Sequence, residues 1–373
     1  MDLAVPIIDR DWMKTTDELR VVTAESVKRR ATAEGFDLSG IAPASELPEL
    51  EYLSTWLKMG YAGEMQYMHR SAERRTDVRK VLPSARSVIV LGTVYNVSRP
   101  YSTENADPRQ AGIARYAWGD DYHDVISERM NRLMQWLTVE AGPGFEGRAY
   151  VDTGPVQERV YAQHAGLGWI AKNTCVINPD LGSWLFLSEI ISNLPLPSDA
   201  PTLDRCGTCT LCLDACPTGA LVEPYVLDSN RCLSYLTIEL KESIPEDLRA
   251  SIGEHAYGCD ICQEVCPWNL TPGTATSEDR AWLPRAGLDS VSLLELWRKT
   301  DAELRTLLKG SAMKRAGVKR LRRNLAVAIG NSGDGEAAVS LRDCKESTAQ
   351  DPLVQHHVEW AIGKLEDRRR SST

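Results

Sequence analysis

The sequence predicts an α+β protein in three parts: a mixed strand-and-helix domain, a loop-rich cysteine module and a helical tail. Three observations carry that reading. Strand-like β-branched runs mix with helical periodicity up to about residue 200; eight of the ten cysteines crowd between Cys206 and Cys266; and after Pro284 the apolar spacing is helical to the end. At 373 residues the chain is long enough for two or three domains. Its 43% hydrophobic and 25% charged residues are an ordinary globular composition.

The first expected helix spans residues 17 to 35, with Leu19, Val22, Ala24 and Val27 on one face and Gly35 at its end. A short apolar run, Leu38–Ile41, follows. Glu49–Met68 reads as helix punctuated by Gly60 and Gly63. Ser87–Tyr95, SVIVLGTVY, has the β-branched content of a buried strand. Arg115–Trp118 introduces a helix from about Val125 to Val139. Arg148–Val151 is a strand and Asp152-Thr-Gly-Pro155 a turn; a helix then runs to about Ala165, with Pro155 suited to its first position. Leu185–Ile191 is a further strand, and Pro195–Pro201 a proline-rich linker into the cysteine module. In the tail, helices are expected at Leu293–Leu308, Leu321–Ile329, Ala337–Leu341 and Val354–Leu365, with a weak signal of paired helical repeats.

No run reaches the roughly 18 to 20 apolar residues of a membrane span. Pro6, Asp9 and Arg10 break the N-terminus before a secretory core forms, and Arg29–Arg30 has no apolar run after it, so the expected location is the cytoplasm. Thiols there are kept reduced, and crowded cysteines read as metal ligands before they read as disulfides. The net charge of −9 gives no global attraction to nucleic acid but leaves room for a local basic patch.

Cys206-Gly-Thr-Cys209-Thr-Leu-Cys212-Leu-Asp-Ala-Cys216-Pro217 is the bacterial ferredoxin run C-x2-C-x2-C-x3-C-P, whose fourth cysteine ligates the other cluster. A second run, Cys259-Asp-Ile-Cys262-Gln-Glu-Val-Cys266-Pro267, has Ala256 where its first cysteine would stand, and Cys232 is the only nearby thiol to fill the vacancy. The crossing rule assigns one [4Fe–4S] cluster to Cys206, Cys209, Cys212 and Cys266. The other takes Cys216, Cys232, Cys259 and Cys262. Zinc is the competing reading, but zinc loops present C-x2-C pairs set a dozen or more residues apart, not four cysteines followed by proline.

Gly166-Leu-Gly168-Trp-Ile-Ala171 matches the degenerate dinucleotide fingerprint but follows a helix instead of a strand, so it is rejected as a nicotinamide site. Asp152, between a strand and a helix, reads first as a helix cap. Its functional reading is a general acid whose pKa burial against an apolar cofactor would raise. The loop Lys172–Ser183 is either a plain connection or a ligand-binding loop, and Cys175 within it either a small buried residue or a contact. Lys309, Lys314, Arg315, Lys319, Arg320, Arg322 and Arg323 stand together with no acidic residue among them. They read as a solvated helix face or as a seat for a phosphate backbone.

With these motifs in hand, the chain resembles the epoxyqueuosine reductases, the cobalamin-dependent family of the last step of queuosine synthesis in tRNA. The resemblance rests on GEMQYM (63–68), IARYAWGDDYH (113–123), VDTGP (151–155), AGLGWIAKNTCVINPDLGSWLF (165–186), both cysteine runs and KRAGVKRLRRNLAVAIGN (314–331), and spans nearly the whole chain. Ala171, where glycine is more usual, and Asp120, in a commonly basic position, are the departures. The resemblance implies three domains. Residues 1–199 would form a cobalamin-binding α/β sandwich related to reductive dehalogenases, 200–279 a ferredoxin-like two-cluster module, and 280–373 a HEAT-like helical domain that helps hold tRNA.

The resemblance also implies that electrons pass from the clusters to cobalamin, that Asp152 is the proton donor, and that Arg75, Arg115, Tyr116, Asp152, Lys172, Asn173, Thr174, Cys175 and Ser183 contact cobalamin. Asp121-Tyr-His123 is followed by Ile126 where a D-x-H-x-x-G motif needs glycine, so cobalt would have no protein histidine ligand. Lys314, Arg315, Lys319, Arg320, Arg322 and Arg323 would meet tRNA, and the partners would be that tRNA and an external low-potential electron donor, with the chain a monomer. Two rivals stand beside this reading. A reductive dehalogenase of small molecules is typically exported and has no use for the basic segment; an electron-carrying ferredoxin has no use for about 200 residues ahead of the clusters.

Overall fold

The computed structural model describes residues 22–104, 107–270, 275–334 and 337–371. The expected first helix begins, within that range, at α1 (Ala24–Ala33), where Thr23 and Ser26 form a capping box. Leu19 lies outside the described residues. Four antiparallel strands build the central sheet: β1 (Leu38–Pro43), β2 (Ser87–Val94), β3 (Gly147–Tyr150) and β4 (Leu185–Ser192), in the order β1-β2-β4-β3. All eight residues of β2 are buried, as its β-branched run requires.

Both faces of the sheet are covered, because successive side chains alternate between them. Ile41, Ile89, Leu91 and Ile190 pack with α1 and with α2 (Tyr122–Ala141) through Val27, Ile126, Met130 and Leu133. Ala42, Val88, Val90 and Ile191 pack with Leu47, Leu50 and α3 (Glu158–His164). The mixed α and β content is as expected, and the strands stand within two residues of their expected bounds.

Three stretches differ. Glu49–Met68 is a short 3-10 turn and a helix, Tyr52–Lys58, separated from the next helix, Gln66–Arg75, by Gly60 and Gly63, both with positive φ. The helix after the Asp152 turn starts at Glu158, so Pro155 lies in the loop before it and not at its first position. Leu293–Leu308 is likewise two helices, because Thr300 with Glu303 caps a new start at Asp301.

The cysteine module is pinned from both sides. Its strand His255–Tyr257 pairs with Gly112–Ile113 of the first part. The expected linker is also fastened: Asp199 ion-pairs with Lys28 at 2.5 Å and accepts from Ile41 N at 2.8 Å. In the tail, α4 (Gly317–Ser332) packs along α5 (Pro352–Ser371), and a Cβ on Gly330 would stand 2.8 Å from the Ala361 Cα. One apolar cluster runs from Ala24 to Leu365, so the three parts share a core. No helix among the described residues is long and apolar enough to cross a membrane.

Two arginines of α4 fasten the tail. The fully buried Arg322 pairs with Asp301 at 3.0 Å and donates to the Trp297 and Lys299 carbonyls. Arg323, also fully buried, donates to the carbonyls of Leu236, Leu240 and Glu242 in the cysteine module. Asp301→Ala leaves the Arg322 guanidinium buried and uncompensated, and is expected to destabilise the chain by roughly 3–5 kcal/mol. Chemical denaturation measures this; a loss no larger than that of an exposed pair, under about 1 kcal/mol, contradicts the role given to Arg322.

Candidate functional site

The eight clustered cysteines lie around two neighbouring places in the cysteine module. Cys206, Cys209, Cys212 and Cys266 line one cavity of about 470 Å³, with Lys172, Asn173 and Trp268 in its wall. Cys216, Cys232, Cys259 and Cys262 lie within electrostatic reach of one another in a second group. Among the described residues no three His, Cys, Asp or Glu side chains converge on a single metal ion. Four thiols around a cavity suit a cube of four irons.

The loop Lys172–Cys175 locks both sets to the sheet domain. Lys172 Nζ donates to the carbonyls of Gly207 at 2.7 Å and Cys209 at 2.9 Å, and Asn173 Nδ2 donates to the Cys262 carbonyl at 3.1 Å. Thr174 is held at φ +66°, unusual for a β-branched residue, by Arg159, whose Nη1 donates to its carbonyl at 2.7 Å. Cys175 lies against Cys262 and belongs to neither cysteine set. Ser183 Oγ donates to Gln263 at 2.9 Å and accepts from Asn269 at the same distance. The side chains of Lys172, Asn173 and Ser183, expected at cobalamin, are therefore committed to the cysteine module.

Arg115, also expected at cobalamin, turns its side chain inward. Its buried guanidinium donates to the carbonyls of Val97, Arg99 and Pro100 and lies over the rings of Tyr101, Trp118 and Trp184, so it is a packing residue. Gly166 and Gly168 lead from α3 into a two-stranded hairpin, Trp169–Ile170 with Val176–Ile177, which is no dinucleotide turn.

Asp152 is not a helix cap. It stands five residues before α3 begins at Gln157's cap, in a left-handed conformation, φ +58°. Gly154 lets the loop fold onto β3, since a Cβ there would meet the Tyr150 ring at 2.4 Å. Asp152 Oδ2 accepts from Tyr122 Oη at 2.9 Å and faces His123 Nε2 at 3.3 Å. The other ring nitrogen, Nδ1, is 2.7 Å from Asp121 Oδ1, and Lys314 Nζ pairs with Asp121 Oδ2 at 2.6 Å. Asp121 also caps α2 by accepting from His123 N.

The charges follow from that line of contacts. Burial opposes the imidazolium, but the bonds to Asp121 and Asp152 outweigh it and raise the His123 pKa to about 9. Burial pushes Asp152 up, yet the bonds from His123 and Tyr122 prevail and its pKa lies below the usual carboxylate value. The expected raised pKa at Asp152 is thus reversed in the open site, where the side chain is 58% exposed. The raised carboxyl is its neighbour Glu158, at about 8 from burial and from the Asp152 charge.

An aromatic wall adjoins Asp152: Tyr122 stacks on Phe186 at 4.5 Å, Phe186 meets Tyr95 at 4.4 Å, and Tyr116 lies between Tyr122 and Tyr257. Arg75, bonded to Val156 O at 2.7 Å, and Tyr116 do reach this neighbourhood. The basic segment divides. Arg322 and Arg323 are buried and cannot touch a phosphate, and Arg320 is spent on the carbonyls of Ala316, Ile238 and Glu239. Lys314, Arg315 and Lys319 stay about half exposed, and Arg315 lies over Tyr67 within the field of Asp152. Tyr122, His123, Asp121 and Glu158 were not singled out from the sequence as acid–base groups; the only signal was that the first three lie inside the IARYAWGDDYH stretch and Glu158 stands three residues after VDTGP.

The chain has close relatives among known proteins. Residues 205–269 match the family model of the 4Fe-4S double cluster binding domain, and residues 75–153 that of epoxyqueuosine reductase QueG, DUF1730. The chain is 45% identical to the epoxyqueuosine reductase of Gloeobacter violaceus, covering 84% of this chain and 98% of the relative. It is 42% identical to that of Pseudomonas aeruginosa over 91% of this chain and 93% of the relative, and 37% to that of Escherichia coli over 93% and 91%. A crystal structure of epoxyqueuosine reductase with a tRNA-Tyr epoxyqueuosine-modified stem loop superposes with a TM-score of 0.81 at 32% identity, covering 91% of this chain and 89% of that one. The enzyme of Streptococcus thermophilus superposes at 0.80 and 28% identity, over 92% and 90%.

Cys266→Ser is expected to remove one cluster, so that bound iron falls by about half, while Cys175→Ser keeps the full iron content. Iron and sulfide analysis of the purified variants decides it; cluster loss in the Cys175 variant would contradict the ligand sets.

Proposed function

The chain belongs to the epoxyqueuosine reductase family, which reduces epoxyqueuosine to queuosine in tRNA, and we propose that Asp152 and His123 are the proton source of that reaction here. The observation that carries this reading is the continuous line Tyr122–Asp152–His123–Asp121–Lys314, open at Asp152 and fixed at its other end. Loss of the epoxide oxygen as water, with a carbon–carbon double bond formed, consumes two electrons and two protons.

Two [4Fe–4S] clusters, held by the two cysteine sets, supply one-electron transfer when bound. The aromatic wall beside Asp152 fits a flat, largely apolar corrinoid, and both ring nitrogens of His123 are already engaged, which fits cobalamin held without that histidine as a ligand. Bound cobalamin supplies the low-potential reducing chemistry at the epoxide.

The chain's own residues manage the proton. In the open site His123 carries it and Asp152 is ionised. Once cofactor and RNA displace water, an ion pair in a drier pocket becomes costly, and the proton moves from His123 Nε2 onto Asp152 Oδ2. Asp152 then presents it to the departing oxygen. Tyr122, a neutral phenol whose pKa burial and the Asp152 charge both raise, keeps the carboxyl aimed by donating to it. Lys314 holds Asp121 ionised against its burial, so the imidazole stays oriented.

Half-exposed Lys314 and Arg315 flank this pocket and Lys319 follows them on the same basic segment, which supports a phosphate backbone docking along it and bringing a base toward Asp152. The electrons must be replenished by an external low-potential donor, because each turnover uses two.

Asp152→Ala, with clusters and cobalamin verified as bound, is expected to slow reduction of an epoxyqueuosine stem loop by about 10²–10⁴-fold. Turnover near the wild-type rate would remove Asp152 from the proton path. Lys319→Ala is expected to weaken stem-loop affinity and flatten its salt dependence by about one counterion. An unchanged salt slope would place the RNA elsewhere.

A further inference from the structure

Beneath the Asp152 loop lies a carboxyl that the proposed proton path does not use. Glu189 stands in the middle of β4, paired in register with Val90 on β2 and Tyr150 on β3. Its side chain is fully buried, and neither carboxyl oxygen has a hydrogen-bond partner among the described residues. Leu187 and Ile191, on the same face of the strand, belong to the apolar cluster with Val90, Val160 and Tyr161. An ionised carboxylate in such a place would cost far more than a neutral acid, so the group keeps its proton.

Glu189 does not stand alone. Glu158, the first residue of α3, is close enough to feel both charges: its carboxyl faces the Asp152 backbone N–H, and Glu189 feels Glu158 before Asp152. The charged and titratable groups facing this pair are Arg75 from the helix Gln66–Arg75, Arg159 and Tyr161 from α3, Tyr122 from α2 and Asp152 from the loop. Three carboxyls share two arginines, of which Arg159 is already turned to Thr174. Like charges packed together cannot all be ionised, and the two carboxyls without a bond to His123 are the ones that stay protonated.

The reaction consumes two protons per turnover, and the His123–Asp152 pair holds one. We propose that Glu158, backed by Glu189, supplies the second proton through Asp152. This rests on the function proposed above. The first proton leaves from Asp152 to the epoxide oxygen as one carbon–oxygen bond opens. Glu158 then protonates the emptied Asp152, whose second delivery releases that oxygen as water as the other carbon–oxygen bond breaks and the double bond forms. The two electrons come from the external donor by way of the clusters. Glu189 takes no part in contact with substrate; it is a positioning residue that keeps a neutral acid, and no countercharge, behind Glu158. Solvent returns both protons between turnovers.

The test uses the full chain loaded with clusters and cobalamin, in single turnovers on an epoxyqueuosine stem loop across pH. The Glu158 proton is present below about pH 8 and lost above it, so the wild-type rate should fall as pH rises through that value. Glu158→Gln should slow the neutral-pH rate by about tenfold or more with KM for the stem loop unchanged. It should also move the alkaline fall up to about 9, where His123 loses its proton. Glu158→Asp should restore the lower fall. Infrared spectra of the same proteins at neutral pH should show a neutral carboxylic acid carbonyl band that disappears in Glu189→Gln, or in Glu189→Leu if the glutamine variant does not accumulate. A Glu158→Gln protein with the wild-type rate and pH profile, or a carbonyl band untouched by loss of Glu189, overturns the relay. A wild type that binds the stem loop but does not reduce it overturns instead the function on which the relay rests.

Discussion

The Lys172 ammonium, donating to two carbonyls of the first cysteine run while its neighbour Asn173 reaches the second, is the contact on which the site depends. Electron transfer needs its centres at fixed separations, so the way the cysteine module is docked on the sheet domain matters as much as the module's own small core. Here one short loop of the sheet domain grips both runs. Thr174, at φ +66° in the middle of that loop, pays about 1–3 kcal/mol in strain for the geometry, and Arg159 holds it there. Arg159 is also the residue after Glu158, so the grip on the cysteine module and the carboxyl group beside Asp152 share one turn of helix.

A second constraint is the bookkeeping of charge in a place that loses water. Asp121, Asp152, Glu158 and Glu189 are four carboxyls near His123, Lys314 and Arg75. Their proximity sorts them: the two that touch His123 are ionised, and the two beyond it are driven toward neutrality by burial and by the charge of Asp152. The same logic divides the basic segment. Arg322 and Arg323 satisfy buried carbonyls and an aspartate, holding the tail to the cysteine module, whereas Lys314, Arg315 and Lys319 leave half of each side chain to solvent.

Much of this was legible in the chain. The double-cluster module was legible from the cysteine spacing, because the ferredoxin run C-x2-C-x2-C-x3-C-P has few other uses. The strands were legible from their β-branched content. The division of the basic segment was not, since burial of Arg322 and Arg323 depends on Asp301 and on carbonyls of residues 236–242, remote in sequence. The burial of the Arg115 side chain was hidden for the same reason: its partners are backbone carbonyls of residues 97–100, which carry no residue-type signal. The pKa of Asp152 was inverted because its partner, His123, lies on a helix 29 residues earlier, and only the fold brings the two within 3.3 Å. Glu189 was hidden inside a strand-like run, where a lone acid reads as solvent-facing.

The central claim is that this chain removes one oxygen from a modified base in tRNA. The direct measurement is an anaerobic incubation of the cluster- and cobalamin-loaded protein with a low-potential reductant and epoxyqueuosine-containing tRNA, followed by mass spectrometry of the digested nucleosides. A nucleoside lighter by one oxygen, formed only when cobalamin is present, is the predicted result. An unchanged nucleoside, with both clusters, cobalamin and tRNA shown to be bound, would contradict the account.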